Sequence, residues 1–140
     1  MIIYLGIGSN LGDRDANLLQ ALQLLDERVG ERIKCSSVYR SAPQGFVSDN
    51  EFANIVAVYT TAYSPKDVLL ITQRIEREMG RKEKSIHGEY HDRVIDIDLL
   101  MGEEAGEPVV RNTAGLTMPH PRMKERDFVM VPLSELKTEM

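Results

Sequence analysis

Two periods of apolar and polar positions succeed one another along this chain, and the switches between them mark out its elements. Ile2–Gly8 is a short apolar run that reads as a buried strand entering the turn Gly8-Ser9-Asn10. Leu18, Leu19, Leu22, Leu25 and Val29 recur at helical spacing and predict an amphipathic helix over Asp13–Val29, ended by Gly30. Asp13 or Asp15 suits its start, where a carboxylate accepts backbone N–H bonds and opposes the helix dipole. Ile33–Tyr39 predicts a second strand, followed by the turn-rich SAPQGFVSDNE. Across Phe52–Thr61 the alternation predicts a third strand, with Phe52, Asn54, Val56, Val58 and Thr60 on one face. Ser64 is a suitable N-cap and Pro65 fits the first helical position; Val68, Leu69, Ile71, Thr72, Ile75 and Met79 carry that helix to Gly80. After the charged RKEKSIHGEYHD, Arg93–Met101 predicts a fourth strand, and the tail is expected to be mostly irregular until Phe128–Leu133.

The order β-α-β-β-α-β consists of two split βαβ units. It predicts an α+β, ferredoxin-like antiparallel sheet with helices packed on one face, in a single domain over residues 1–140. The fourth strand is then expected beside the first, near the centre of the sheet. A net charge of −5 and a pI of about 5.2 weigh against salt-driven binding to nucleic acid or anionic membrane. The single cysteine, Cys35, excludes an internal disulfide framework and a CxxC metal knuckle. The opening MIIYLGIG lacks a basic lead and is too short for a signal peptide or a membrane span, so a cytoplasmic protein is expected; a monomer is expected as well.

Candidate chemistry begins at DRVIDIDLL, which sets Asp96 and Asp98 two apart on a strand. Side chains at that spacing share a face ~7 Å apart, so the two charges repel. A wet edge strand would tolerate them; a central one would require a cation between them. GIGSNLG, between strand and helix, resembles a phosphate loop, yet its spacing is GxGxxxG and no acid ends the second strand. A tight glycine turn into a capped helix is the simpler reading. Glu76, Arg77, Arg81, Lys82 and Lys84 read as solvated surface or as a phosphate site, and PHPRMKERDF places His120, Arg122, Lys124 and Arg126 close together. His87, His91, Asp92, Asp96 and Asp98 could form a transition-metal cluster. Two carboxylates among several cations suit Mg²⁺ better, because that ion takes few carboxylates and is completed by substrate phosphates.

YLGIGSNLGDRDANL, SSVYRSAPQG, FANIVAVYTT, QRIEREMGR, DRVIDIDLL and MPHPRMKERDFVMVPL occur in the order and spacing of one family. With them the chain resembles the 6-hydroxymethyl-7,8-dihydropterin pyrophosphokinases of folate biosynthesis over nearly its full length. The resemblance implies transfer of the β,γ-pyrophosphoryl group of ATP to the pterin hydroxymethyl oxygen, with release of AMP. It implies that Asp96 and Asp98 hold two Mg²⁺ ions, that Arg81 and Arg93 act with them, and that Gln73, Glu76, Arg81, Arg93, His120 and Arg126 face ATP. Ser41, Pro43, Gln44, Gly45, Phe52, Asn54 and Phe128 match the pterin pocket. Phe52 and Phe128 could sandwich the flat ring, and the Asn54 amide offers a donor and an acceptor to its edge.

The chain departs from many relatives in having Tyr90-His91-Asp92 where they carry Trp-Gly-Pro, and Pro121 where some carry tyrosine. Tyr90 is expected to replace the indole as a cover over the pterin, on a lid at residues 82–92. Longer relatives continue past the position of Pro132-Leu133, and those additional elements are expected to be absent. The rival readings are an RNA-recognition domain of the same element order and a phosphotransferase with another acceptor. The first wants an aromatic-rich strand and a basic face, neither of which the sequence offers.

Overall fold

The computed structural model describes residues 1–41, 51–80 and 94–138, with side chains to residue 136. Strand β1 (Ile2–Ser9) leads into helix α1 (Arg14–Arg28), which Asp13 caps by accepting the Ala16 N–H at 3.0 Å. Between them Gly12 takes a φ of 67°, a left-handed turn that favours glycine. Strands β2 (Glu31–Cys35) and β3 (Tyr39–Ser41) follow, then β4 (Phe52–Thr60). Helix α2 (Pro65–Glu78) starts as its sequence predicts, with Ser64 accepting the Asp67 N–H at 3.2 Å and Pro65 in the first turn. Strand β5 (Asp96–Glu104) completes the main sheet, in the order β2-β4-β1-β5, all antiparallel. That is the ferredoxin-like arrangement.

Four expectations need correction. The single strand predicted over Ile33–Tyr39 is two, because buried Ser36 interrupts it: its hydroxyl accepts the Val56 N–H at 2.9 Å, replacing a main-chain acceptor. The chain leaves the ladder there and re-pairs with β4 at Tyr39. β5 lies beside β1, as expected, but at the sheet edge. Its second neighbour, β6 (Glu107–Pro108), pairs only with Glu103 and Glu104. The tail is ordered: β7 (Arg111–Thr113) and β8 (Leu116–Met118) form a hairpin, a 3₁₀ turn spans Met123–Glu125, and helix α3 covers Asp127–Thr138.

Helices also pack on both faces. Ile3, Leu5, Ile7, Ala53, Ile55, Ala57, Tyr59, Ile97 and Leu99 face α1 and α2 in the larger core. Val56, Val58 and Leu100 turn the other way, against Val129, Leu133 and Leu136 of α3 and Met123. An RNA-recognition sheet would keep that face open and aromatic.

The ladder between β1 and β5 is irregular at one point. Along β1, Tyr4 pairs Met101 but Leu5 pairs Leu99, so Leu100 is an extra residue and β5 carries a bulge. Leu100 and Met101 consequently both join the α3 side.

Leu133 is 1% exposed in the α3-side core. Leu133→Ala should lower the unfolding free energy by about 2–5 kcal/mol through lost burial and an unfilled cavity. Urea unfolding checks this; a loss below about 0.5 kcal/mol, the range of ordinary surface changes, would detach α3 from the core.

Candidate active site

Directly opposed residues of antiparallel strands share a face, so the pairing register reads out side-chain rows across the sheet. On the α3 side, one row is Lys34, Val58, Tyr4 and Met101; the next is Val56, Gly6 and Asp98; the next is Tyr39, Asn54, Gly8 and Asp96. α3 covers the first and leans on Val56 and Leu100. Beyond it, Gly6 and Gly8 put no side chain on the central strand. The result is a bay in the side-chain layer, bounded by Asn54 on one side and Asp96 and Asp98 on the other, with the Leu100 side chain against Gly6 and the Asn54 amide against Gly8. Two interstrand spacings make it roughly 10 Å wide.

The floor favours glycine at one point. A Cβ on Gly8 would run into the Asn54 amide oxygen, whereas on Gly6 it would meet Leu100 at van der Waals distance, 3.4 Å. The first part of GIGSNLG, Gly6 to Gly8, therefore lies within β1, and the expected glycine turn into a capped helix falls at its end, at Gly12 before Asp13. Asn54 is 7% exposed, and among the described residues its Nδ2 has no hydrogen-bond partner. A buried, unsatisfied amide donor costs about 1–3 kcal/mol, so it marks a place where a ligand acceptor would be stabilising. Phe52 and Ser41, opposite each other where β4 and β3 end beyond Asn54, are both half-buried.

The anionic wall is surrounded by cations and donors. Asp98, with a side chain 31% exposed, lies 3.8 Å from the guanidinium of Arg126, which is 15% exposed. That guanidinium also sits 5.5 Å from the ring centroid of Phe128, in the first turn of α3. His120 is fixed to the free edge of β5, its N–H donating to the Leu100 carbonyl at 2.7 Å. Its Nδ1 accepts the Arg122 N–H at 3.2 Å, which leaves the ring proton on Nε2 as a donor. Burial, helped by Arg126 and Arg122 and opposed by Asp96, holds the imidazole below its ordinary pKa and so neutral.

On α2, Gln73 is half-buried, while Glu76 is 3% exposed and its carboxylate accepts the Ile97 N–H at 2.9 Å. The structure thus brings Asn54, Asp96, Asp98, His120, Arg126 and Phe128 around one side of the sheet and places Glu76 inside the protein. Pro43, Gln44, Gly45, Arg81, Tyr90 and Arg93, the 82–92 segment, and His87, His91 and Asp92 of the alternative metal cluster lie outside the described residues. Among the described residues no group of three or more His, Cys, Asp or Glu could hold a metal. The oxygen-only pair Asp96 and Asp98 fits Mg²⁺, which needs one or two carboxylates and takes the rest from water and phosphate. Sequence reasoning missed Gly6 and Gly8 as the floor, although their alternation within an apolar run was the available signal.

The strand order and the side-chain rows define a ferredoxin-like domain that carries an amide and a diacid on one sheet face. A family model described as 7,8-dihydro-6-hydroxymethylpterin-pyrophosphokinase (HPPK) matches residues 4–138, and the chain belongs to that family. It is 47% identical over 135 residues to a 2-amino-4-hydroxy-6-hydroxymethyldihydropteridine pyrophosphokinase of Porphyromonas gingivalis, covering 96% of this chain and 90% of that one. Enzymes of the same name from Aquifex aeolicus and Bacillus subtilis are 40% and 37% identical, over 96% of this chain and 79% and 77% of theirs. Among solved structures, HPPK-DHPS of Plasmodium falciparum with pteroate superposes with a TM-score of 0.67 at 15% identity. That match covers 96% of this chain and 38% of the solved one, and it speaks for the fold.

The His120 environment generates a pH prediction. In metal-free protein its NMR titration midpoint should lie below 6.5, the ordinary value. Since the unfolded chain then binds that proton more readily, the residue's contribution to stability is complete above about pH 6.5 and declines as pH falls toward the folded midpoint. A midpoint above 6.5 would place His120 nearer to Asp96 than to the two arginines.

Proposed function

We propose that this chain transfers the β,γ-pyrophosphoryl group of ATP to the hydroxymethyl oxygen of 6-hydroxymethyl-7,8-dihydropterin, with Asp96 and Asp98 as ligands of two Mg²⁺ ions. Family membership makes it a pyrophosphoryl transferase of folate biosynthesis acting on small molecules. The observation that carries the residue assignment is the placement of Asn54 and the diacid on one sheet face, across a glycine floor.

In this reading the pterin lies in the bay, its edge meeting the Asn54 amide and its faces the rings of Phe52 and Phe128. Ser41 and, from the adjoining segment, Pro43, Gln44 and Gly45 complete that pocket, with Tyr90 as its cover. The triphosphate runs along the β5 edge, where His120 donates from Nε2 and Arg126 exchanges Asp98 for phosphate. Gln73, Arg81 and Arg93 are the remaining nucleotide contacts. Mg²⁺ held at Asp96 and Asp98 would neutralise phosphate charge and polarise the attacking hydroxyl. The hydroxymethyl oxygen bonds to the β-phosphorus as the bond from that phosphorus to the α,β-bridging oxygen breaks; AMP leaves with that oxygen, and the hydroxyl proton passes to solvent. The residues supply alignment and charge rather than a strong base, which is what phosphoryl transfer asks of a protein. No helix among the described residues is long and apolar enough to cross a membrane.

Asp96→Ala and Asp98→Ala should each abolish formation of AMP from ATP and the pterin, with the fold retained, since each removes a like-charge repulsion as well as a cation ligand. Product analysis checks the first point and circular dichroism the second. Near-normal turnover of both variants would remove the metal assignment, and ADP as product would point to simple phosphoryl transfer.

Asn54→Ala should weaken pterin binding by ~1–3 kcal/mol, because its edge hydrogen bonds go unmade, and should leave ATP affinity nearly unchanged. Calorimetry with each substrate separates the two; the opposite pattern would take Asn54 out of the pterin pocket.

A further inference from the structure

Among the described residues, β5 is paired along Asp96–Leu99 on one side only, by β1. An edge strand turns every second N–H outward, and such groups are left to water or a side chain. The outward N–H of Ile97, midway between the two aspartates, is met by the Glu76 carboxylate at 2.9 Å. Glu76 is 3% exposed in the last turns of α2, and Thr72 and Ile75 on the same helix are fully buried. A buried carboxylate is costly unless it is bonded, and a backbone N–H to a carboxylate is among the stronger protein hydrogen bonds. At that depth the carboxylate is a poor direct contact for a nucleotide.

The bonded N–H belongs to the peptide joining Asp96 to Ile97, so its plane sets the backbone torsion on the C-terminal side of Asp96. The Ile97 side chain, 5% exposed in the core against α1 and α2, fixes the other side of the same unit. Asp96 and Asp98 leave this unit toward the opposite face. We infer that Glu76 is a positioning residue for the diacid, holding the Asp96–Asp98 backbone in the one orientation from which both carboxylates reach a common cation cluster; this rests on the reading of those aspartates as Mg²⁺ ligands. Mg²⁺ enforces near-ideal octahedral geometry, so a peptide free to rotate would weaken binding without removing any ligand.

The test compares Glu76→Gln, which keeps an oxygen for Ile97, with Glu76→Met, which keeps the volume and removes it. The readout is the Mg²⁺ concentration that half-saturates binding of α,β-methylene-ATP, measured by calorimetry, alongside pterin affinity, melting temperature and an Asp98→Ala control. Glu76→Met should raise that concentration by about 10-fold or more and Glu76→Gln by less than about threefold, with pterin affinity unchanged in both. A lower melting temperature with an unchanged Mg²⁺ requirement in Glu76→Met would leave Glu76 a purely structural group and overturn the inference. Equal losses in the two variants would overturn it too, by making charge rather than the hydrogen bond the cause. Should Glu76→Met not fold, amide exchange of Ile97 in the unaltered protein decides: protection beyond that of an exposed edge amide supports the bond, and rapid exchange refutes it. Retention of the Mg²⁺ response by Asp98→Ala would overturn the metal reading itself, separately from the role of Glu76.

Discussion

β1 is hydrogen-bonded on both sides, to β4 and β5, and its alternate residues serve faces with opposite requirements. Ile3, Leu5 and Ile7 fill the core under α1 and α2, so their size is dictated by packing. Ile2 and Tyr4 do the same against α3, but Gly6 and Gly8 then withdraw from that face. The proposed site depends on this asymmetry. A domain of this size needs both faces of its sheet covered to bury enough apolar surface, yet it needs part of one face uncovered to hold a ligand. Glycine in the most securely paired strand resolves the conflict, because ladder bonds on both sides offset the loss of side-chain packing.

The electrostatics of the bay are built on the same frame. Two carboxylates ~7 Å apart repel by about 2 kcal/mol at an effective dielectric constant of 20, a cost the fold can carry. Edge placement keeps Asp96 and Asp98 partly wet, and Arg126 stands near Asp98 as a counter-charge. The imidazole of His120, neutral at pH 7, adds a donor without adding positive charge beside Arg126. Cations, carboxylates and a buried amide thus come from separate stretches of chain, and the sheet register brings them together.

How much of this was legible in the sequence differs by element. α1, α2, β1 and β4 were readable because their apolar periods run long and their ends carry local signals, such as Asp13 and Ser64-Pro65. Asp96 and Asp98 stood out as charges in an apolar run, and the family motifs gave them a context. The edge position of β5 was not readable, since strand order depends on which neighbours close the sheet. α3 was missed as a helix because Pro132 lies inside it and its apolar side is defined only by Val56, Val58 and Leu100 elsewhere in the chain. Glu76 sits among charged residues in sequence, and only the fold reveals that one of them is turned inward toward Ile97.

The bulge at Leu100 acts as a phase shifter for β5. Counting back from Met101 and Glu103, which face α3's side, strict alternation would send Leu99 and Ile97 toward α3 and both aspartates into the helix-covered core. The extra residue inverts the count, so a strand whose far end is locked by one packing pattern can present its near end in the other. The two halves of β5 are thereby free to vary separately. Substitutions at Met101–Glu104 answer to packing and to the ion pair of Glu104 with the N-terminus, while the carboxylates keep their orientation for as long as the strand keeps its surplus residue. Deleting one residue between Asp98 and Met101 would then invert the proposed site without touching either carboxylate.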